Sequence, residues 1–543
     1  MTFLNRRGRR AGGVPLALAA AALAAVPAAA AARPAAAPAA AARPSATRPS
    51  ATRPSATRPS AAQPSSPPVP KLSWQACPDA AGFQCTDATV PRDYNDASAG
   101  TFDLAVTRLP ARDRKHRIGS LFVNFGGPGG PNVTTLQKNG QRLFATLNQR
   151  FDLVTFDPRG TGESTPAIDC AVDQETAGPF SEPFMTPFDV DRKKLLDTDR
   201  RYVQRCEQRN SGVLPYVSTA NVARDLDQLR RAVGDRKLSY LGLSYGTFLG
   251  STYASLFPRS YRTLALEGVL DPDQYANHPI TLRASLAAAQ EREVGRFLQA
   301  CAGNQPACSH FGGTDPGEAL DALITRLDAK PLAVGKRTLD GDDVRVALGQ
   351  GLHSKETWSA TGAALAAAEA GTGAPLRQLA DGFYGRKDDG SYQPYLDEFF
   401  AVSALDQRKS PGLQQYLTAG EQSWNEFDHS YFLAGYGESA WGNYPVQPRG
   451  VFRGPFRAAA DAPAVLVIGT TYDPATPYKA AQSLTRQLGN ARLLTMVGDG
   501  HGAYGGESPC IDNAVNHYLE QATLPAEGTQ CQQQVPFDPP AAH

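Results

Sequence analysis

Short apolar runs alternate with helix-like patterns through most of this 543-residue chain. The apolar runs contain mostly Val, Leu, Ile and Phe with little polar alternation, and they are residues 120–125, 151–157, 238–243, 262–268, 464–470 and 491–498. Strands of this composition are typical of a parallel sheet that helices cover on both faces. The pattern therefore predicts an α/β protein with a mostly parallel sheet.

Two segments between these runs have the pattern of helices that pack on such a sheet. The first starts at Thr219, which can cap a helix, and ends at Gly234. The second covers about 245–257 and ends before Pro258. Its Gly246 and Gly250 lie on one side, which lets this helix approach the sheet closely.

The strand-like runs are absent from about residue 275 to 455, where alanine-rich helical patterns replace them. Apolar runs resume after this stretch, so we interpret it as a helical lid inserted into one domain. The predicted organisation is a first part of the core over 70–274, a lid over 275–455, and a second part of the core with a C-terminal segment over 456–543.

The first 32 residues have the features of an export signal. A basic head precedes a mostly alanine apolar stretch and then small residues suited to cleavage. The alternative is an uncleaved membrane anchor, but the stretch is only weakly hydrophobic and barely long enough to span a bilayer. We expect a signal peptide over 1–32, a secreted protein and no stable membrane insertion.

Residues 33–69 consist almost wholly of Ala, Pro, Arg, Ser and Thr, with SATRP repeated from Ser45 to Pro59. Such a stretch cannot bury a core and predicts a disordered linker, compatible with cell-wall proximity or with free secretion. The first 69 residues contain nine arginines and no acid, which leaves 45 basic and 53 acidic residues in the rest of the chain. The net negative charge of the chain after residue 69 argues against a nucleic-acid partner.

Eight cysteines in an exported chain indicate four disulfides. Closeness in sequence suggests three of the pairs, which are Cys77–Cys85, Cys301–Cys308 and Cys510–Cys531. Cys170 and Cys206 remain and would form the fourth pair. Zinc binding is the alternative, but the chain has no C-x-x-C motif and no histidine at ligand spacing from a cysteine pair. We expect neither a metal nor a cofactor.

Ser244 is the central residue of a G-x-S-x-G sequence that spans 242–246. The motif follows the apolar run 238–243 and precedes a predicted helix, which is the strand–turn–helix context of a nucleophile elbow. The glycines permit a turn so tight that a side chain at either position would clash. Ser244 is therefore the candidate nucleophile.

A serine nucleophile needs a base, and the base needs an orienting carboxylate. Asp473 and His501 each follow one of the last two apolar runs. The carboxyl ends of parallel strands meet at one edge of a sheet, and the chain order Ser, Asp, His resembles that of α/β-hydrolases. We predict His501 as the base and Asp473 as its orienting acid. Asp499 is a rival acid, poorly placed because it shares a loop with His501.

Hydrolysis of an acyl group also needs hydrogen-bond donors for the negatively charged oxygen of the tetrahedral intermediate, the oxyanion. The sequence NFGGPGG at 124–130 directly follows an apolar run, and it can direct the N–H of Gly127 at a carbonyl oxygen. The N–H of Tyr245 would be the second donor. A phosphate-binding loop is the alternative, but no Gly-Lys-Ser/Thr follows. The sequence FDPRGTGES at 156–164 predicts a tight turn that supports the pocket.

Together these segments resemble the exported tripeptidyl aminopeptidase branch of the α/β-hydrolases, serine peptidases related to prolyl iminopeptidases. The resemblance covers about residues 72–535 and depends on NFGGPGG, FDPRGTGES, GLSYGTFLGSTYASLFP, LEGVLDP, TYDPATPYKAA and GDGHG. It implies an α/β-hydrolase core, a helical lid after LEGVLDP, and the triad and oxyanion donors given above. The chain departs from the pattern at 425–450, where the cysteine expected before the tryptophan is missing.

The expected activity is hydrolysis of peptide substrates through an acyl-enzyme, releasing short peptides, in particular tripeptides, from free N-termini. A desolvated carboxylate is the natural partner of a terminal ammonium, and Glu267 at the end of the run 262–268 is the candidate. Acids of the lid form a second set, namely Glu426, Asp428 and Glu438. The alternatives are a carboxylesterase or lipase with the same triad, and a non-catalytic binding protein on a hydrolase scaffold.

Overall fold

The computed structural model describes residues 67–179, 186–188, 190–409, 412–442 and 444–539. The predicted signal peptide and nearly all of the predicted linker lie outside these residues. Within them, no helix is both long enough and apolar enough to cross a membrane.

The described chain contains a ten-stranded sheet and a separate two-stranded hairpin. In chain order the strands are β1 (Gln75–Ala76), β2 (Gln84–Asp93), β3 (Asp96–Leu109), β4 (Gly119–Asn124), β5 (Phe151–Phe156), β6 (Leu238–Leu243), β7 (Tyr261–Glu267), β8 (Leu332–Val334), β9 (Arg337–Leu339), β10 (Val465–Tyr472), β11 (Ala491–Asp499) and β12 (Gln530–Gln532). The hairpin is β8–β9. The large sheet has the order β1-β2-β3-β5-β4-β6-β7-β10-β11-β12.

The six strands predicted from apolar runs form the central, parallel part of this sheet. Side chains alternate between two buried layers along each strand, so that Leu241 contributes to one core and Tyr240 to the other. Both layers are covered by helices, which explains why these strands have almost no polar positions.

The antiparallel strands at one edge of the sheet and the short β12 at the other have no apolar run and were not predicted from the sequence. β1, β2 and β3 pair in antiparallel fashion, and β3 joins the sheet through β5. One part of β3 is exposed and polar while its last residues are buried, so the strand has no continuous apolar run. Strands with a solvated portion lack the signal that identified the central strands.

The helices lie on both faces of the sheet and in one long insertion. In chain order they are α1 (Asn132–Leu143), α2 (Arg192–Asn210), α3 (Thr219–Ala232), α4 (Tyr245–Leu256), α5 (Pro272–Asn277), α6 (Pro279–Gly303), α7 (Pro316–Ala329), α8 (Gly341–Gly351), α9 (Trp358–Glu369), α10 (Ala374–Tyr384), α11 (Tyr395–Asp406), α12 (Leu413–Glu426), α13 (Ser439–Gly442), α14 (Tyr478–Leu488) and α15 (Pro509–Gln521). Helices α3, α4 and α14 contribute to the core on one face, and α1 and α15 to the core on the other.

Helices α5 to α13 lie between β7 and β10, where the sequence predicts the lid. The prediction that this stretch has no strands is wrong in one detail, because the hairpin β8–β9 lies within it. Two strands of three residues each give too short an apolar pattern to be recognised in sequence.

Helix α3 begins where it was expected, but its cap differs from the prediction. Ser218 occupies the N-cap position, and Thr219 is the first helical residue. The N–H of Thr219 donates to Asp406 Oδ1 at 2.8 Å, so a carboxylate from the end of lid helix α11 satisfies the helix terminus. The lid and the core are therefore connected close to Tyr245, whose hydroxyl also contacts Thr219.

All eight cysteines form disulfides, in the four pairs expected from the sequence: Cys77–Cys85, Cys170–Cys206, Cys301–Cys308 and Cys510–Cys531. No cysteine thiolate remains for zinc.

The turn at 156–164 is anchored by a buried ion pair. Arg159 Nε donates to Asp225 Oδ2 at 2.7 Å, and neither side chain is exposed to solvent. Tyr94 donates its hydroxyl proton to the same carboxylate at 2.7 Å. The guanidinium also donates to the carbonyls of Pro91 and Arg92. The predicted structural role of this turn therefore has a physical basis, since Arg159 ties it to β2 and to α3.

Replacing Arg159 with Met should destabilise the protein strongly. The substitution leaves Asp225 as an uncompensated buried charge, a change that costs about 3–5 kcal/mol. Denaturant-induced unfolding of the oxidised protein measures the loss. Arg259→Met is the matched control, because Arg259 pairs with Asp461 on the open surface and both side chains are more than half exposed. Equal free energies of unfolding for Arg159→Met and Arg259→Met would contradict a stabilising role for the buried ion pair of Arg159 and Asp225.

Candidate active site

Ser244 lies at the junction of β6 and α4 in a strained backbone conformation. Its φ is 54°, a region that L-residues rarely adopt. A Cβ added at Gly242 would lie 2.4 Å from the carbonyl oxygen of Gly246. One added at Gly246 would lie 2.7 Å from the carbonyl oxygen of Asn124. Both glycines are thus required for the turn, and the turn presents Ser244 at the N-terminus of α4.

His501 and Asp473 are in hydrogen-bond contact at the carboxyl ends of β11 and β10. Nδ1 of His501 is 2.9 Å from Asp473 Oδ2 and 3.1 Å from Oδ1. The carboxylate is wholly buried and also accepts the N–H groups of Ala475 and Thr476, at 2.8 and 2.7 Å. A proton on Nδ1, donated to Asp473, leaves Nε2 of His501 with a free electron pair for use as a base.

Ser244 lies on the same edge of the sheet as this pair. Its backbone N–H donates to the carbonyl of Glu267 at 2.9 Å. A Cβ added at the next residue, Gly268, would lie 2.9 Å from Cε1 of His501. Ser244 and His501 therefore flank the same short segment. Within the described residues the Ser244 hydroxyl makes no hydrogen bond, to His501 or to any other group. Such contacts often tighten only when substrate binds.

The glycine-rich loop after β4 approaches the N-terminus of α4. A Cβ at Gly126 would lie 2.8 Å from Ser244 Cβ and 3.3 Å from the nitrogen of Tyr245. Among the described residues, neither the N–H of Gly127 nor that of Tyr245 donates a hydrogen bond. Two unengaged N–H groups beside Ser244 match the arrangement needed to bind an oxyanion.

The charge of His501 is controlled by two carboxylates. Burial lowers the pKa of the imidazole, but attraction and a hydrogen bond from Asp473, with a smaller attraction from Glu267, raise it above its ordinary value. The side chain keeps about 12% of its surface exposed, so it can still reach a substrate. The site therefore stabilises the imidazolium that forms when His501 accepts a proton.

The pH dependence of kcat/KM should report this raised pKa. His501 acts as a base only when neutral, so activity should be low below its pKa and rise as the pH passes it. The half-maximal point should lie above the ordinary histidine value of about 6.5. A profile measured on a neutral ester substrate tests this. An acid limb centred at or below that value would contradict the expected influence of Asp473.

The structure corrects the prediction that Glu267 binds a substrate ammonium. Its side chain is only 1% exposed and lies under the loop that carries His501. Its Oε1 accepts the N–H groups of Ala503 and Tyr504, the latter at 3.0 Å. An ammonium could reach this carboxylate only by displacing the loop. Glu267 is the last residue of β7, and the neighbouring loop that carries His501 covers it.

Several residues that hold the His501 loop were not found from the sequence. The N–H of Gly500 donates to Glu293 Oε1 at 3.0 Å, and the N–H of His501 donates to the carbonyl of His353 at 2.6 Å. Both partners belong to the lid segment, more than 140 residues away in the chain. Thr476 was also missed, although its Oγ1 is 2.7 Å from Asp473 Oδ2 and 3.1 Å from His501 Nδ1.

The rival acid Asp499 has other partners. It accepts hydrogen bonds from Arg296 of α6 and, at 2.9 Å, from Lys355. Two lid cations thus occupy this carboxylate, which leaves Asp473 as the acid in contact with the imidazole.

The fold and this site define a serine hydrolase of the α/β-hydrolase class. The sequence matches the family described as "alpha/beta hydrolase fold" over residues 123–364 and the family described as "TAP-like protein" over residues 439–531. The chain belongs to the α/β-hydrolase family that includes serine protease Hip1 of Mycobacterium tuberculosis, to which it is 31% identical over 468 residues, 83% of this chain and 87% of that protein.

Two further relatives have different names. The chain is 32% identical to carboxylesterase B of Mycobacterium tuberculosis over 481 residues, 85% of this chain and 90% of that protein. It is 29% identical to tripeptidyl aminopeptidase of Streptomyces lividans over 489 residues, 85% of this chain and 86% of that protein. The relatives thus include both peptidases and a protein named as an esterase.

Proposed function

We propose that this protein is a secreted serine exopeptidase that releases short peptides, in particular tripeptides, from free N-termini. The observation that carries the proposal is the strained turn at Ser244, on the same edge of the sheet as the hydrogen-bonded His501–Asp473 pair. The relatives named as a serine protease and a tripeptidyl aminopeptidase support a peptide substrate. The four disulfides support export, because such bonds persist in oxidising compartments.

The proposed reaction has two steps, and the same base serves both. His501 removes the proton from the Ser244 hydroxyl as its oxygen attacks the carbonyl carbon of the scissile peptide bond. His501 then gives the proton to the departing amine, and the C–N bond breaks to leave an acyl-enzyme. In the second step His501 removes a proton from water, whose oxygen attacks the ester carbonyl. The C–O bond to Ser244 then breaks, the proton passes from His501 to the Ser244 oxygen, and the peptide leaves with a new carboxylate.

Asp473 and the backbone N–H groups supply the electrostatic part of the mechanism. Asp473 holds the Nδ1 proton of His501 and stabilises the imidazolium in both steps. Gly127 and Tyr245 donate hydrogen bonds to the oxygen of the tetrahedral intermediate, where the negative charge develops. The absence of other partners for these two N–H groups among the described residues supports this role.

An esterase is the second candidate, because one relative is named carboxylesterase B. The two functions place different demands on the cleft. A lipophilic acyl chain needs an apolar pocket, whereas a free N-terminus needs an uncompensated carboxylate. Next to the glycine-rich loop the lid places a buried acid, Glu398, that pairs with no cation among the described residues. This feature favours the exopeptidase.

One set of substrates separates these functions. The purified enzyme is assayed on trialanine p-nitroanilide, on its N-acetyl form and on p-nitrophenyl butyrate. An exopeptidase should cleave the free peptide and lose most of its activity on the acetylated one. Preference for the ester, with equal cleavage of the free and acetylated peptides, would instead identify an esterase. No cleavage of any substrate would indicate a binding protein.

A further inference from the structure

Glu398 of helix α11 is a lid residue that contacts the glycine-rich loop of the core. Its side chain is only 2% exposed, and its Oε1 accepts the N–H of Gly162 at 2.9 Å. A Cβ added at Gly129 would lie 2.7 Å from Glu398 Cβ, so the helix and the loop are in direct contact at this glycine. Gly129 belongs to the same loop as Gly127, the proposed oxyanion donor.

The carboxylate of Glu398 has no positive partner. It forms no ion pair within the described residues, and the charged groups that act on it are other acids, namely Asp157, Asp397 and Asp169. Burial, with a smaller contribution from these acids, raises the pKa of Glu398 to about 8 against the N–H of Gly162, which lowers it. An incoming cation would favour ionisation of this carboxyl.

One oxygen of Glu398 remains available to a ligand. Oε2 has no hydrogen-bond partner among the described residues, and it is not one of the buried oxygens that are sealed from solvent. The free oxygens of Glu267 and Glu293 are sealed, and these two acids hold the His501 loop. Glu438, another buried lid acid, pairs with Arg283 at 2.7 Å. Among these four acids, only Glu398 has an oxygen that neither pairs with a cation nor is fully sealed from solvent.

The loop from Gly126 to Gly129 relates Glu398 to Ser244. Gly126 contacts Ser244 and Gly129 contacts Glu398, as the close approaches of their added Cβ atoms indicate. The two glycines are three peptide units apart, so their Cα atoms are separated by at most about 11 Å. The loop folds back between them, since a Cβ added at Gly130 would lie 3.0 Å from the carbonyl oxygen of Gly126. Glu398 is therefore within reach of the N-terminus of a short peptide whose scissile carbonyl lies at Ser244.

We propose that Glu398 binds the α-ammonium of the substrate and thereby selects peptides with a free N-terminus. This inference rests on the proposed exopeptidase function and names the group that recognises the free N-terminus. The ammonium forms a charge-assisted hydrogen bond with Oε2, while Oε1 stays fixed by Gly162. Tyr395 lies one turn away on the same side of α11 as Glu398 and is only partly buried.

The test is Glu398→Gln, which keeps the size of the side chain and an oxygen for Gly162 but removes the negative charge. For trialanine p-nitroanilide, kcat/KM should fall by about 10- to 100-fold, since a hydrogen bond to a charged group is lost. Hydrolysis of p-nitrophenyl butyrate should change by no more than about 2-fold, because this substrate has no ammonium. The preference for trialanine p-nitroanilide over its N-acetyl form should narrow, because the acetylated substrate has no ammonium to lose.

Glu163→Gln is the matched control. Glu163 follows Gly162 and is exposed, so this variant removes one negative charge from the same turn without touching Glu398. Its kinetics on every substrate should stay within about 2-fold of the wild type. An equal loss in this variant would indicate a general effect of charge and overturn the assignment to Glu398.

The outcomes distinguish this inference from the proposed function. If the wild-type enzyme prefers free over acetylated peptides and Glu398→Gln retains that preference, the assignment of Glu398 is wrong and the exopeptidase stands. Equal losses on the ester and on the free peptide would also overturn it, because they indicate a structural role. If the wild type itself does not distinguish free from acetylated peptides, the exopeptidase proposal fails.

Discussion

Replacing Ser244 with alanine should lower kcat by about six orders of magnitude, the loss typical when a serine nucleophile is removed from a working triad. Without the hydroxyl no acyl-enzyme forms, and His501 has no proton to remove. Alanine retains the Cβ and is therefore compatible with the φ of 54° observed at this position. Steady-state kinetics on trialanine p-nitroanilide, with circular dichroism to confirm folding, measure the effect.

Ser255→Ala is the matched control for this variant. Ser255 lies in the same helix, α4, and its hydroxyl donates to the backbone carbonyl of Ser251 at 2.9 Å, remote from the catalytic pair. Its activity should equal that of the wild type. A Ser244→Ala enzyme that keeps more than a small fraction of wild-type kcat, after contamination is excluded, would remove Ser244 from the mechanism.

Replacing Asp473 with asparagine should lower kcat by about four orders of magnitude. Asparagine has nearly the same shape, but its amide can donate to Nδ1, which favours the tautomer whose proton is on Nε2. The base then has no free electron pair for Ser244. Loss of the carboxylate also removes the main attraction that raises the pKa of His501, so the acid limb of the pH profile should move to lower pH.

Asp499→Asn is the discriminating control for Asp473. Both acids lie close to His501 in the fold, but Asp499 contacts Arg296 and Lys355. The Asp499→Asn variant should lose far less kcat than the Asp473→Asn variant. If Asp499→Asn were the more damaging of the two, the acid of the catalytic pair would have been assigned wrongly.

The central sheet and the candidate site could be predicted because both depend on local sequence. Each of the six central strands has an apolar run, since both of its faces are covered. Ser244, Asp473 and His501 each follow such a run at short range, and parallel strands place their carboxyl ends on one edge. The pairing of His501 with Asp473 then follows from the adjacency of β10 and β11.

The parts that could not be predicted depend on contacts between distant segments. Glu267 has the chain position of a cleft residue, but the His501 loop covers it. The acids that contact the site from the lid, Glu293 and Glu398, show no local motif, because only the folded lid brings them to Gly500 and Gly162. Strand β3 was missed because its exposed part interrupts the apolar pattern.

Reaction with a fluorophosphonate, followed by peptide mapping by mass spectrometry, tests the nucleophile most directly. The reagent phosphonylates an activated serine, so the wild-type protein should carry one adduct per chain on the peptide that contains Ser244. The Ser244→Ala variant should carry none, and His501→Ala should react much more slowly. An adduct on another residue, or equal labelling of wild type and Ser244→Ala, would contradict a mechanism built on Ser244.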